Sequence, residues 1–306
     1  MRPPPLTTLA LLAFAACAPG AAPSAPASTP GPVDRLRADP GAYRVYDGAG
    51  APASLDAIVA AAQEISVLFV GEEHDDSIGH QIEAELFAGA LRRAGARPVV
   101  LSLEMFERDV QGVVDEYLGG VITEPYFLAD ARPWPGYRGA HRPLVELARS
   151  NGLRVLAANA PRRYVNLAAR LSVDSLSRLS PDALRSLPPL PLPQPSAAYR
   201  AMFDSVMARA PHEGMPPHMF DGQRLWDAAM GNAVAGALFE RPDALVVHVA
   251  GDFHVERRLG AAEALLHYRP GTRLLVVAIR SASDPGSFMP KEHVGLGDYV
   301  VLTRKP

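Results

Sequence analysis

The sequence contains one cysteine and only two lysines among its 306 residues, and its net charge is −3. The lone cysteine, Cys17, excludes an intramolecular disulfide. No segment concentrates positive charge, which argues against a nucleic-acid binder. Neither H-E-x-x-H nor C-x-x-C is present, so no strong local motif specifies a metal site. Any site must therefore be assembled from residues that are distant in the sequence.

The composition is that of a folded protein, with 48% hydrophobic and 21% charged residues. A chain of this length can bury a large core in one or two lobes, and this composition excludes a disordered protein.

An apolar run from Leu6 to Ala16 follows the positive charge of Arg2. The run is too short to span a bilayer and has the length of a signal-peptide core, so we expect export. The sequence F-A-A-C, which ends at Cys17, resembles a bacterial lipobox. It predicts a signal peptide over residues 1–16 and lipidation of Cys17. Ordinary cleavage after Ala18 is the alternative, but proline would then follow the cut.

Residues 17–34 are rich in alanine, proline and serine, a composition typical of a flexible tether. We therefore expect a lipid-anchored envelope protein whose folded domain spans residues 35–306. The residue after Cys17 is not the aspartate that retains lipoproteins in the inner membrane. In a Gram-negative cell the outer membrane is expected.

Short apolar runs alternate with amphipathic helical patterns through this domain. This alternation predicts an α/β fold with a mostly parallel sheet and helices on both faces. The predicted strands are Ile65–Val70, Val99–Leu103, Arg154–Ala158, Ala244–Val249, Leu274–Ile279 and Asp298–Leu302. The predicted helices are Gln81–Ala94, Pro143–Ser150 and Gln223–Phe239.

A proline-rich stretch over residues 186–196 interrupts the alternation. Proline at this density is incompatible with a helix or a central strand. Methionine and aromatic residues follow up to Phe220. We interpret residues 180–222 as a helical insertion, whose part from Ser196 to Phe220 forms a flap.

Polar residues follow the apolar strands directly. The first strand runs into G-E-E-H, with Glu72 and His74, and the second ends at Glu104. The fourth runs into G-D-F-H, which ends at His254. Ligands of open parallel sheets bind beyond the carboxyl ends of the strands, so we expect these four residues to share one cavity.

Two imidazoles and two carboxylates form a plausible ligand set for a divalent metal ion, or an acid/base group for hydrolysis. Taken singly, each residue has an alternative role as a helix cap or a buried, hydrogen-bonded histidine. His80 is compatible with either the cavity or solvent, and His248 is predicted to lie in the core.

The ordered segments G-E-E-H-D-D-S-I-G-H, S-L-E-M-F, W-P-G-Y-R-G-A-H-R-P-L-V-E-L-A-R, A-A-N-A-P-R-R-Y, G-Q-R-L-W-D-A-A-M and A-G-D-F-H-V resemble the ChaN family of haem-binding uptake lipoproteins. The resemblance extends from about Ile65 to His254. It implies an α/β fold and relationship to a wider group with Tiki-type metalloproteases and erythromycin esterases. In the enzymes of that group the positions of Glu72, His74, Glu104 and His254 carry the chemistry.

The resemblance also implies haem held by a tyrosine oxygen, with a histidine of a partner subunit assisting across a homodimer. An anionic oxygen suits ferric haem in a transport protein. Arginines are suitable partners for the haem propionates. The candidate haem-binding residues are Tyr137, Tyr164, Tyr199, Arg162, Arg163, His212 and His218. The absence of C-x-x-C-H excludes covalent haem attachment.

Two functions of different class therefore remain open. The first is a membrane-tethered haem carrier involved in haem or iron uptake. The second is a metal-dependent hydrolase in which the strand-end carboxylates and histidines activate water for attack on an ester or amide.

Overall fold

A computed structural model describes residues 37–209 and 214–305 of the chain. The predicted signal peptide, the tether, Cys17 and His212 lie outside the described residues. The strands are β1 (Tyr43–Asp47), β2 (Val67–Glu72), β3 (Val99–Glu107), β4 (Arg154–Asn159), β5 (Leu245–Gly251), β6 (Leu274–Ala282) and β7 (Tyr299–Arg304). The helices are α1 (Leu55–Ala61), α2 (Ser77–Ala94), α3 (Gln111–Leu118), α4 (Glu124–Asp130), α5 (Arg142–Ser150), α6 (Arg162–Leu171), α7 (Pro181–Leu184), α8 (Ala197–Met207), α9 (Met219–Glu240), α10 (Ala261–Tyr268) and α11 (Pro290–His293).

The strands form a single seven-stranded sheet in the order β1-β7-β6-β2-β5-β3-β4. Strand β1 is antiparallel to β7, and the other neighbouring pairs are parallel. The predicted α/β fold with a mostly parallel sheet is confirmed. β5 lies between β2 and β3, which are consecutive in the sequence. The carboxyl ends of these three strands therefore meet at one place on the sheet edge.

Helices cover both faces of the sheet, and each strand contributes side chains to both faces because alternate residues point to opposite sides. One face packs against α2 and α5 through Leu68, Val70, Leu101, Val247 and Val277. The other face packs against α9 and α10 through Val67, Phe69, Val100, Val246 and Val276. This explains why the strands are apolar without alternation in the sequence.

Three local differences separate the structure from the predicted elements. Strand β1 was not predicted, and it forms an edge of the sheet. Strand β3 continues to Glu107, with a register irregularity after Leu103. Helix α2 begins at Ser77 rather than Gln81, because the Asp76 carboxylate accepts a hydrogen bond from the backbone N–H of Ile78. Such an N-cap satisfies an otherwise unpaired donor of the first turn.

The proline-rich stretch 186–196 connects α7 to α8 without regular secondary structure. Helix α8 buries Tyr199 and Phe203. The Phe203 ring lies 4.8 Å from that of Phe220, and the Tyr199 ring lies 5.8 Å from that of Phe253. The helix therefore packs beside the turn that follows β5, close to the carboxyl edge of the sheet.

Among the described residues, no helix combines the length and the apolar character that a bilayer crossing requires.

Candidate functional site

The structure brings Glu72, His74, Glu104 and His254 together at the carboxyl edge of the sheet. Glu72 is the last residue of β2, Glu104 lies in β3, and His254 ends a 3-10 turn after β5. The centre of the group is Gly251, the last residue of β5. Its backbone N–H donates to Oε2 of Glu104 over 2.7 Å.

Gly251 allows the His74 ring to lie directly on the backbone. A Cβ atom at this position would stand 2.8 Å from Cε1 of His74 and 3.6 Å from Oε2 of Glu104. The first distance is well inside van der Waals contact, so a side chain here would displace the imidazole. The glycine thus allows His74 and Glu104 to approach each other across the end of β5.

Glu72 is a buried carboxylate surrounded by three imidazoles. Its Oε1 lies 2.8 Å from Nδ1 of His74, and its Oε2 lies 3.1 Å from Nε2 of His141 and 3.8 Å from Nε2 of His80. Burial opposes ionisation of Glu72, but the hydrogen bonds from His141 and His74 outweigh it and hold the pKa of Glu72 far below the usual value. Glu72 is therefore an anion, and its hydrogen bond raises the pKa of His74.

Glu83 is a second carboxyl group close to Glu72, and it is fully buried in α2. Burial, together with the charges of Glu72 and Asp76, raises the pKa of Glu83 well above its usual value. Neither carboxyl oxygen of Glu83 has a hydrogen-bond partner among the described residues. The pocket under Glu72 therefore contains a second carboxyl group that no described residue pairs with.

His254 is held between two buried carboxylates. Its Nδ1 lies 2.7 Å from Oδ1 of Asp227, and its Nε2 lies 3.4 Å from Oε1 of Glu104. The hydroxyl of Tyr199 donates to the other oxygen of Asp227. The side chain of Gln223 also lies 3.1 Å from Nδ1 of His254. These contacts fix the orientation of the His254 ring.

The same contacts make His254 a cation at neutral pH. Burial alone would lower its pKa, but the charges of Glu104 and Asp227 outweigh burial and raise it to about 10. In turn, His254 helps to lower the pKa of Glu104 against the cost of burial. The site thus contains two neighbouring charged groups. The Glu72 carboxylate is surrounded by imidazoles, and the His254 imidazolium lies between two carboxylates. Such neighbouring groups can exchange protons with a bound substrate.

Aromatic rings flank this polar floor. The side chain of His74 is 50% exposed, and its ring meets Trp134 edge to face with the centroids 5.0 Å apart. The guanidinium of Arg162 lies 5.1 Å from the centroid of Trp134. On the other side of the site, the ring centroids of Phe253 and His254 are 6.3 Å apart. His74 is therefore the group of the cluster that is open to solvent.

Two of the three candidate tyrosines do not present a hydroxyl to a ligand. Tyr137 lies in the apolar core against Phe106 and Phe127, and burial raises its pKa far above the usual value. Tyr199 is buried with its hydroxyl on Asp227. Both side chains are already part of the protein interior, which corrects their assignment as haem ligands.

Tyr164 is the candidate tyrosine whose ring reaches the surface. It lies in the first turn of α6, and the guanidinium of Arg163 stands 4.4 Å from its ring centroid. Tyr164 lines an open cavity of about 470 Å³ together with Arg108, Asp109, Arg163, Ser180, Asp182, Ala183, Arg185 and Ser186.

The remaining haem candidates are dispersed. Arg162 belongs to the wall of the strand-end site, and Arg163 pairs with Asp109 at 2.6 Å. His218 is half-exposed at the N-terminus of α9 and lines a separate cavity of about 310 Å³ with the methionines and phenylalanines of the flap. His212 cannot be placed, because it lies outside the described residues.

Sequence patterns alone indicated no role for His141, Asp227, Glu83 or Trp134, and they were compatible with two positions of His80, in the cavity or in solvent. His141 and Trp134 lie in the segment W-P-G-Y-R-G-A-H, and Asp227 lies in G-Q-R-L-W-D. Both segments contribute to the family resemblance. Its position two residues before the predicted helix Pro143–Ser150 was the local signal available for His141.

The family profile described as "Haem-binding uptake, Tiki superfamily, ChaN" matches residues 58–265. The chain belongs to this family. The predicted resemblance is thereby confirmed. No curated protein sequence gives a match to the chain.

One solved structure shares the fold of this chain, and two others show a weaker similarity. ChaN of Campylobacter jejuni, described with cofacial haem binding, has a TM-score of 0.62 at 14% identity, covering 87% of this chain and 98% of that one. The type III effector HopBA1 has a TM-score of 0.49 at 12% identity, covering 82% and 94%. An erythromycin esterase mutant in its open conformation has a TM-score of 0.44 at 11% identity, covering 86% and 83%. At 14% identity the similarity to ChaN of Campylobacter jejuni establishes the fold and leaves the ligand to be argued from the residues.

Proposed function

We propose that the protein binds ferric haem through the phenolate oxygen of Tyr164 and serves in haem uptake. The observation that carries this proposal is the match to the haem-binding family over residues 58–265. The surroundings of Tyr164 support it as the ligand. The guanidinium of Arg163 lies over the Tyr164 ring, 4.4 Å from its centroid, and an anionic oxygen is a suitable ligand for ferric haem.

The donor groups around Tyr164 fit haem. Arg108, Arg163 and Arg185 line the same cavity. Arg163 pairs with Asp109 and Arg185 with Asp182, so binding of the two propionates would replace these carboxylates as partners of the guanidinium groups. The cavity is open on one side, as a planar ligand held at the surface requires. Bound haem would supply a coloured ferric centre, and the residues of this chain would hold it and set its orientation. The cofacial haem of the Campylobacter jejuni relative suggests that two copies of this chain meet through their haem groups.

Replacement of Tyr164 by phenylalanine is expected to weaken hemin binding about 10- to 100-fold, because the ring stays in place while the ligand oxygen is lost. Hemin titration followed by absorption measures both affinity and ligation. The wild type should show a high-spin ferric spectrum with a charge-transfer band that the variant lacks. Tyr126→Phe is the matched control, because Tyr126 is 67% exposed and lies outside the cavity. An unchanged spectrum in Tyr164→Phe would contradict the assignment.

We further propose that Cys17 anchors the mature protein to the envelope through lipid, with the outer membrane as its place in a Gram-negative cell. The support is the lone cysteine after a short apolar run. Cys17→Ala is expected to move the protein from the detergent phase to the aqueous phase in detergent partitioning. Mass spectrometry of the mature N-terminus checks the modification directly. An unmodified Cys17 within a longer peptide would rule it out.

A second candidate function is hydrolysis of an ester or amide at the strand-end site. The observation that favours it is the oriented His254 beside Glu104 and the half-exposed His74, a group of residues that a haem carrier does not need. His74→Gln is expected to abolish hydrolysis of an activated ester while hemin binding at Tyr164 is unchanged. Assays with and without divalent metal define its dependence on metal. The absence of hydrolysis in the wild-type protein under both conditions would eliminate this function.

A further inference from the structure

The environment of Glu72 contains buried polar atoms that the protein leaves without partners. Nε2 of His80 and Nδ1 of His141 have no hydrogen-bond partner among the described residues, and both oxygens of Glu83 share this property. These side chains are almost fully buried. Buried donors and acceptors that remain unpaired cost free energy, so a group of them in one place requires an explanation.

Two of these side chains, His80 and His141, form together with Glu72 the geometry of a ligand set. One ligand atom from each of Glu72, His80 and His141 lies within 4.8 Å of the other two. Oε2 of Glu72 is 3.1 Å from Nε2 of His141 and 3.8 Å from Nε2 of His80. Ligand atoms around a tetrahedral zinc ion are about 3.3 Å apart, as follows from bond lengths of about 2.0 to 2.1 Å. The observed spacings are on either side of this value.

The carboxyl groups of the pocket also suit a cation. Glu72 and the neighbouring Glu83 are both almost fully buried, and neither oxygen of Glu83 has a hydrogen-bond partner among the described residues. A divalent ion bound to Glu72 would provide a partner for the unpaired nitrogen of His80. Because two imidazoles and one carboxylate suit borderline transition metals better than Mg²⁺ or Ca²⁺, the chemistry favours an ion of the Zn²⁺ type.

We propose that Glu72, His80 and His141 form a binding site for one divalent transition-metal ion of the Zn²⁺ type. This site differs from the set Glu72, His74, Glu104 and His254 that the sequence suggested, and it shares only Glu72 with that set. His254 is already placed between two carboxylates, and Glu104 accepts the N–H of Gly251, so these groups have partners without a metal. His74 lies on the other oxygen of Glu72, where it fixes the carboxylate and connects the site to solvent.

The proposal does not rest on haem binding, and its test uses metal alone. Purified protein is stripped with a chelator and titrated with Zn²⁺ by calorimetry, then with Co²⁺ by absorption. We expect one ion per chain, a rise in Tm with Zn²⁺, and the visible bands of Co²⁺ with nitrogen and oxygen ligands. His80→Gln and His141→Gln should each weaken Zn²⁺ binding about 100-fold or more, because each removes one of three ligands.

Two control variants locate the ion. His254→Gln alters the neighbouring cluster, and His267→Gln alters an exposed histidine of α10; both should retain the wild-type affinity for Zn²⁺. Circular dichroism of each stripped variant checks folding, and if one triad variant does not fold, the other variant and the Co²⁺ spectrum of the wild type decide. Failure of the wild type to bind Zn²⁺ overturns the proposal. Loss of binding in His254→Gln together with retention in His80→Gln and His141→Gln overturns it as well.

Discussion

Asp227→Asn is expected to lower the free energy of unfolding by about 3–5 kcal/mol, the usual cost of removing one partner from a buried ion pair. Asp227 and His254 are both buried, and their side chains meet at 2.7 Å. The asparagine keeps the size of the side chain but removes the negative charge that pairs with the His254 imidazolium. It also disturbs the acceptor of the Tyr199 hydroxyl. Denaturant unfolding of both proteins at neutral pH measures the loss.

The same substitution should change the dependence of stability on pH. The pKa of His254 rises from 6.5 in the unfolded chain to about 10 in the folded protein. A raised pKa contributes stability that is fully present below pH 6.5 and is lost as the pH rises through about 10. The wild type should therefore become less stable between pH 7 and 10. In Asp227→Asn this decline should be smaller and should end at lower pH.

The control for Asp227 is an exposed aspartate of α8. The side chain of Asp204 is 53% exposed and pairs with Arg200 at 2.9 Å, so Asp204→Asn should cost no more than about 1 kcal/mol. It should leave the decline in stability above pH 7 unchanged. Equal losses in the two variants, or equal pH dependence, would show that the charge of Asp227 does not stabilise His254.

Gly260→Ala should destabilise the protein by about 2–5 kcal/mol, since two separate costs add. Gly260 has φ of +58°, which costs a residue with a Cβ atom about 1–2 kcal/mol. That Cβ would also stand 2.5 Å from the carbonyl oxygen of His254 and 2.8 Å from Oδ1 of Asp227. Relief of such overlap typically costs about 1–3 kcal/mol. Movement of Asp227 would loosen the contact with His254.

Gly271→Ala separates the two costs. Gly271 has φ of +75°, but a Cβ atom there would meet nothing within 4 Å. This variant should therefore lose only the backbone term of about 1–2 kcal/mol. Denaturant unfolding compares the two variants under one set of conditions. If Gly260→Ala costs no more than Gly271→Ala, the chain around His254 relaxes and the close packing of Gly260 has no energetic consequence.

The sequence by itself determined the class of fold, because a strand that is buried on both faces appears in the sequence as a continuous apolar run. Each of the six predicted strands is present, with ends displaced by a few residues. The apolar run before G-E-E-H could only be a covered strand, and its polar end then had to lie at a sheet edge. The edge strand β1 was not predicted, because it is short and mixes polar with apolar residues, so it contains no continuous apolar run.

The sequence also determined that polar residues end β2, β3 and β5, but only the tertiary structure decided how they are paired. The order of the strands places β5 between β2 and β3, and so places Gly251 between His74 and Glu104. His141 comes from the start of α5 and Asp227 from the middle of α9, positions at which hydrophobic periodicity conveys nothing about distant partners. Likewise, packing buried the hydroxyl of Tyr199 and left Tyr164 at the surface, although both tyrosines lie in the first turn of a helix. A local sequence pattern indicates whether a residue is buried. The partner of a buried residue depends on how distant segments of the chain pack against each other.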